Sequence, residues 1–409
     1  MTRSLYICYF GMREPLVQTQ VLPYIREIMK DGIRFTLLTF EPKRGEADLQ
    51  EFVGIKDALE QEGIDWQWLP YHKRFSALAT AWDIFRGAVF VRSYIVREKP
   101  DVLHGRVHVP TLMGALARKF SRRKPKLLFD IRGFMPEEYT DARIWPEGGI
   151  LYRTAKRVER WLMKEADGFV VLTEKARDIL FPESKSTGRD KLGRPVEVIP
   201  CCVDLNRFPT FDSDLRENKR RELGIGDRRV FAYVGSFGGW YMTDEMLDFF
   251  EAARAHDPNS FVMILTQRDK EMVIQHLKKR GFVDNDYFVG SVTPKELPSY
   301  LGAADVAISF IKACYSKQSS SPTKIAEYLA CGLPIIANRG VGDVDELLSA
   351  NGNGCLVNDF TEEEFSRAVL VILERISSPV ERMQTARREF DLETVGGKRY
   401  QRLYRDLTD

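Results

Sequence analysis

The stretch Ser319-Ser320-Ser321-Pro322-Thr323-Lys324-Ile325-Ala326-Glu327-Tyr328-Leu329-Ala330-Cys331-Gly332-Leu333-Pro334-Ile335-Ile336-Ala337 decides how this chain is read. It describes a polar loop, a short helix and a buried strand. Ser321 suits an N-cap, and Pro322 suits the first helical position, where its missing N–H would be unpaired anyway. Ile325, Tyr328 and Leu329 make an apolar face, Gly332 ends the helix, and Ile335-Ile336-Ala337 reads as strand. Free N–H groups, positive dipole charge and Lys324 then meet at the helix start, which suits a phosphate or diphosphate. Glu327 lies three residues on, on the same side, where a carboxylate can accept two hydrogen bonds from a ribose diol. A solvated Lys–Glu pair on an ordinary capped helix is the competing reading.

With 409 residues the chain exceeds one ordinary core, so two domains are expected. A hydrophobic content of 44% and a charged content of 29% are those of a globular protein. A net charge of +2 gives no reason to expect nucleic acid. Six cysteines without CxxC spacing suit a reducing cytoplasm, and Met1 to Ser4 run straight into a strand-like segment rather than a signal peptide. No apolar run reaches membrane-spanning length.

Outward from the opening stretch the pattern is β/α throughout. In the first half, strands are expected at Leu5 to Phe10, Phe35 to Phe40, Asp65 to Leu69, Asp101 to His104, Leu127 to Asp130, Gly168 to Thr173 and Val196 to Pro200. Helices are expected at about Gln18 to Lys30, Ser76 to Glu98 and Gly149 to Glu165. Pro209 to Lys219 reads as a linker. The pattern restarts at Arg229 to Gly235, with further strands at Phe261 to Leu265 and Val306 to Phe310. Such alternation implies two parallel sheets covered on both faces, with ligands beyond the carboxyl ends of the strands.

Several segments together resemble the retaining glycosyltransferases of family 4. Ser321 to Ala337 is similar to that family's donor motif. Gly11 with Met12, His104-Gly105-Arg106, Asp130-Ile131-Arg132, Val170 to Thr173, Val203-Asp204, Tyr233-Val234-Gly235 and Gly290-Ser291-Val292 follow in the family's order. The resemblance implies the GT-B fold: α/β, two Rossmann-like domains with parallel sheets facing across a cleft. It implies an acceptor-side domain over 1–205, a donor domain over 206–385, and a C-terminal helix over 386–409 crossing back to the first. It places His104, Arg106, Asp130 and Arg132 on the catalytic side of the cleft. It gives donor binding to Gly11, Ser236, Gly238, Gly239, Arg268, Ser291, Val292, Ser319, Ser321, Pro322, Thr323, Lys324 and Glu327. Two departures stand out. Ser319 occupies the position of the family's first glutamate. The loop Ser236 to Tyr241 lacks the usual Arg and Lys, leaving the glycine N–H groups, the Ser236 hydroxyl and Lys324 to hold the diphosphate.

The reaction so implied is transfer of a sugar from a nucleotide diphosphate, UDP or GDP, to a glycan or lipid-linked acceptor. It proceeds with retention and without metal or cofactor, as in bacterial-type surface polysaccharide synthesis. Fixed dipoles and cations stabilise the leaving diphosphate, and a donor phosphate oxygen helps take the acceptor's proton. No convincing metal-ligand triplet is present. A sugar-nucleotide epimerase of the same fold and a non-catalytic nucleotide- or glycan-binding subunit are the rivals. Trp82, Phe85 and Phe90 with the basic run Arg122, Arg123 and Lys124 could form a face for peripheral contact at the inner plasma membrane; core packing of those rings is the competing reading.

Overall fold

The computed structural model describes residues 2–42, 47–72, 76–208, 213–350, 352–374 and 378–409. The chain divides into two compact units, Met1–Pro200 with Leu392–Asp409, and Cys201–Asp391.

The first unit holds β1 (Arg3–Ile7), β2 (Arg34–Pro42), β3 (Ile64–Tyr71), β4 (Val102–Arg106), β5 (Lys126–Asp130), β6 (Gly168–Val171) and β7 (Val196–Val198). They form one parallel sheet in the order β3-β2-β1-β4-β5-β6-β7. Strand order reverses between β1 and β4, so the crevice that suits a ligand opens beyond their carboxyl ends. β1, β4, β5 and β6 are almost wholly buried, as expected of a sheet covered on both faces.

Three expectations need correction here. The helix foreseen over Gln18 to Lys30 is two helices, Pro15–Gln20 and Leu22–Met29, broken at Val21. Pro23 lacks the N–H that a continuous helix would need there. The linker reading of Pro209 to Lys219 fails over its second part, which lies in the helix Ser213–Glu222; Pro209 to Asp212 lie outside the described residues. Arg216 and Arg220 of that helix pair with Asp305. Core packing also fails for two rings of the helix Ser76–Glu98: Trp82 is 52% and Phe85 59% exposed, while Phe90 is half-buried against the core.

A C-terminal helix, Lys398–Thr408, closes the first unit. Tyr400 donates to Asp130 Oδ2 at 3.0 Å, and the Tyr404 hydroxyl sits 2.9 Å from both His104 Nδ1 and Ser4 Oγ. Arg402 and Arg405 make two-pronged bonds to Glu197 and Asp31. Gly168 leaves room for the helix, because a Cβ there would come within 3.1 Å of Leu407 Cδ2.

The second unit holds β8 (Arg229–Val234), β9 (Ser260–Leu265), β10 (Tyr287–Gly290), β11 (Val306–Ser309), β12 (Ile335–Asn338) and β13 (Gly354–Val357). Their parallel order is β10-β9-β8-β11-β12-β13. The reversal lies between β8 and β11, and the helix Thr323–Ala330 follows β11.

Candidate functional site

At the β8–β11 reversal the first feature is Lys324, in the opening turn of the helix Thr323–Ala330. Its side chain is buried, and its ammonium lies 4.3 Å from the ring centres of both Tyr233 and Tyr241. Its one hydrogen bond among the described residues goes to the Tyr233 hydroxyl at 3.2 Å, and no carboxylate is within ion-pairing reach. Burial pulls its pKa from 10.5 down to about 7, only partly opposed by Glu327. Glu327 is half-buried; its carboxyl is pushed up to about 7 by burial, against the pull of Arg207 and Lys324. A buried cation that makes no ion pair among the described residues, beside a helix start, is the kind of cradle that suits an anion.

Local sequence explains the cradle. β8 ends at Val234, and Gly235 follows at φ +139°; a Cβ there would stand 2.8 Å from Lys324 Nζ and 3.1 Å from the Tyr233 hydroxyl oxygen. Only glycine lets the loop pass this close. Tyr328, one turn beyond Lys324, accepts from Val234 N at 2.8 Å and donates to Ile308 O at 3.2 Å. It ties the helix to both strands flanking the reversal.

The anticipated donor residues fall around this centre in different states. Ser236, Gly238 and Gly239 are exposed. Gly238 N already donates to Thr243 Oγ1 at 2.9 Å, whereas the Gly239 amide makes no bond among the described residues. The capping expectation for Ser321 is corrected: Pro322 takes the N-cap position with no side-chain cap. The Ser321 hydroxyl instead accepts from Cys201 N at 3.0 Å. Pro322 and Thr323 are half-buried at the helix start. Ser319 is buried, its hydroxyl donating to Ser316 O at 2.7 Å. Arg268 and Ser291 are exposed beyond β9 and β10, with Val292 buried beside them. The two loops are knitted by Ser291 Oγ to Thr266 O at 3.0 Å and Gln267 Nε2 to Val292 O at 2.6 Å.

Reading the sequence missed Tyr233, Tyr241 and Lys317. Lys317 lies buried with its ammonium 4.0 Å from the Trp240 ring centre, bringing a cation to a loop that has none of its own. The continuous apolar run of β8 marks Tyr233 as buried but not what it faces; nothing local marks the other two.

In the first unit, His104, Arg106, Asp130 and Arg132 do come together, but as a closed network. His104 and Asp130 are wholly buried and Arg106 nearly so. Asp130 Oδ2 is 3.5 Å from His104 Nε2 and 3.7 Å from Arg106, and Arg132 donates to Gln20 Oε1 at 3.0 Å. Burial drives the His104 pKa down. Burial also pushes the Asp130 carboxyl up, but Arg132, His104 and Arg106 outweigh it and hold it below the usual range. His104 and Asp130 are also bound by the C-terminal tyrosines, Tyr404 and Tyr400, so these side chains anchor a helix. Gly11 lies against the buried Glu41, whose Oε1 accepts from Met12 N and Thr39 Oγ1 at 2.7 Å each. A Cβ at Gly11 would stand 2.8 Å from Glu41 Oε2.

Comparison with known proteins places both units. Residues 215–389 match the family described as glycosyl transferases group 1, and residues 17–184 match the glycosyl transferase 4-like domain. A curated relative, the 2-deoxystreptamine glucosyltransferase of Streptomyces kanamyceticus, is 23% identical over 222 residues. That is 53% of this chain and 54% of the relative, so the chain spans about half the length of the curated relative it matches. HepE of Anabaena, solved with UDP and glucose, superposes with a TM-score of 0.67 at 16% identity, covering 99% of this chain and 100% of that one. Sucrose-phosphate synthase of Thermosynechococcus elongatus superposes at 0.71 with 14% identity, covering 100% and 99%. The shared fold is GT-B, two Rossmann-like domains.

Proposed function

We propose that this chain, whose two halves carry glycosyltransferase domains in a GT-B fold, moves a sugar from a nucleotide diphosphate to a glycan or lipid-linked acceptor. The observation that carries the reading is Lys324, a buried ammonium that makes no ion pair among the described residues, at the strand-order reversal of the second unit. Charge builds on the diphosphate as the glycosidic bond breaks. A cation already desolvated beneath a helix N-terminus stabilises that charge more than the ground state, because little solvent must reorganise. Glu327 is positioned one turn on to accept from the ribose diol, and Arg207 assists its ionisation.

Lys324, the Gly239 amide and Ser236 would hold the diphosphate without metal. Among the described residues no three His, Cys, Asp or Glu side chains gather as metal ligands. UDP or GDP as the base-bearing group, retention and a place in surface polysaccharide synthesis are carried by the family resemblance; the UDP bound to the Anabaena relative favours UDP. Peripheral membrane contact belongs to the same reading, through the exposed stripe Leu78, Trp82, Phe85 and Val89.

The test is thermal melting against UDP, GDP, CMP, dTDP and ADP, followed by turnover of the matching nucleotide sugars with and without acceptors. One nucleotide should raise the melting temperature of the wild type and not of Lys324→Ala or Glu327→Ala. Sugar turnover without any acceptor would move the assignment to an epimerase. Nucleotide binding with neither transfer nor epimerisation would leave a binding subunit.

A further inference from the structure

We propose that the first unit carries a sugar-binding subsite in which His72 accepts a hydrogen bond from a saccharide hydroxyl; that the sugar is the acceptor rests on the glycosyltransferase reading. His72 follows β3 directly, on the carboxyl-end side of the seven-stranded sheet, where folds of this kind take ligands. Its Nδ1 lies 2.5 Å from Asp83 Oδ1, and its backbone N–H donates to Asp83 Oδ2 at 3.0 Å. Asp83 comes from the helix Ser76–Glu98 and is wholly buried, and Tyr9, two residues beyond β1, donates to the same Oδ2 at 2.7 Å. In the neutral ring, hydrogen on Nδ1 directed at Asp83 leaves the Nε2 lone pair as the acceptor.

That Nε2 has no partner among the described residues, and the side chain remains 28% exposed. His104 and His108, the other histidines of this unit, are enclosed. A buried carboxylate that only secured the helix would not need to aim an accessible ring nitrogen. An oriented imidazole with a free Nε2 is the arrangement used to receive a ligand's hydrogen.

The chemistry selects the ligand. With hydrogen on Nδ1 toward Asp83, Nε2 selects a ligand that donates. Aromatic surface lies close by: Tyr9 shares Asp83 with His72, and its ring meets that of Tyr71, the residue before His72, at 5.3 Å. A hydrogen-bond acceptor beside aromatic faces fits a pyranose, which offers hydroxyl donors at its rim and C–H groups on its faces.

The experiment uses the full chain labelled with 15N-histidine. The probes are the methyl β-glycosides of glucose, galactose and N-acetylglucosamine. His72 should show the tautomer with hydrogen on Nδ1, and at least one glycoside should move its Nε2 resonance. Saturation transfer to that glycoside should be lost in His72→Phe and kept in His72→Gln, whose amide oxygen can replace Nε2. UDP melting shifts are recorded on the same samples, with His72→Phe expected to match wild type. Hydrogen on Nε2, no response to any glycoside, or undiminished glycoside binding by His72→Phe would each overturn the proposal. Glycoside binding without a UDP shift would instead overturn the donor reading and leave this subsite standing.

Discussion

Lys324 and Glu327 carry opposite linkage signs. Between about pH 7 and 10.5 the unfolded chain holds the lysine proton that the folded chain has released, so this group makes stability rise with pH. Between pH 4.5 and about 7 the folded chain keeps the glutamate proton that the unfolded chain has lost, so that group makes stability fall. Together they put a local minimum of ligand-free stability near pH 7. A diphosphate beside Lys324 restores its charge, so nucleotide binding at pH 8 should take up protons. Calorimetry in buffers of different ionisation enthalpy reads this directly. Lys324→Met should remove the uptake and weaken binding at least about tenfold, or about 1.4 kcal/mol. Unchanged uptake in that variant would place the diphosphate elsewhere.

Gly235 belongs to the same scale. Gly235→Ala combines a positive φ with a Cβ against the Lys324 ammonium. Strain of this kind costs about 1–3 kcal/mol. Chemical denaturation should show that loss, and the nucleotide-induced melting shift should fall with it. A variant as stable and as responsive as wild type would mean that the loop does not pass over the ammonium.

At the level of elements, the C-terminal helix is held by hydroxyls reaching buried polar groups. Tyr400→Phe takes a donor from Asp130, and Tyr404→Phe takes a partner from His104 and Ser4. Each should cost about 1–3 kcal/mol, because a buried group loses its partner rather than exchanging it for water. Urea unfolding of the single and double variants measures it, and a double loss smaller than the sum would reveal one shared network. Most strands and the longest helix were legible beforehand. The helix Ser76–Glu98 has the bounds its periodicity implied, and β8 and β9 fall where their apolar runs lie. The break at Val21 was missed because the apolar pattern runs across it while Pro23 interrupts only the hydrogen bonds. The helix Ser213–Glu222 was missed because its stability comes from Arg216 and Arg220 reaching Asp305, some ninety residues away.

For the whole molecule, the exposed stripe of Leu78, Trp82, Phe85 and Val89 borders a groove of about 670 Å³ whose lining includes Phe120 and Arg92, with Lys119, Arg122 and Lys124 exposed nearby. No helix among the described residues is long and apolar enough to cross a bilayer. Binding to phosphatidylglycerol vesicles should exceed that to phosphatidylcholine and fall with salt. Trp82→Ala with Phe85→Ala should weaken it at least about tenfold, since a large apolar side chain gains about 1.5–3 kcal/mol on full burial. Equal sedimentation of variant and wild type would remove the membrane from the account.

The sequence by itself determined the two-fold β/α alternation and the approximate place of most strands, though not β10 or β13, because periodicity and glycine or proline punctuation are local properties. It also singled out Lys324 and Glu327, because a helix start, a cation and a carboxylate one turn apart are written within a few residues. Only the tertiary structure decided that Lys324 lies caged by Tyr233 and Tyr241, that His104 and Asp130 anchor the C-terminal helix, and that His72 is aimed by Asp83 and Tyr9. Those facts depend on which distant side chains share a buried volume, and burial sets both the partners a polar group can find and the charge it can keep.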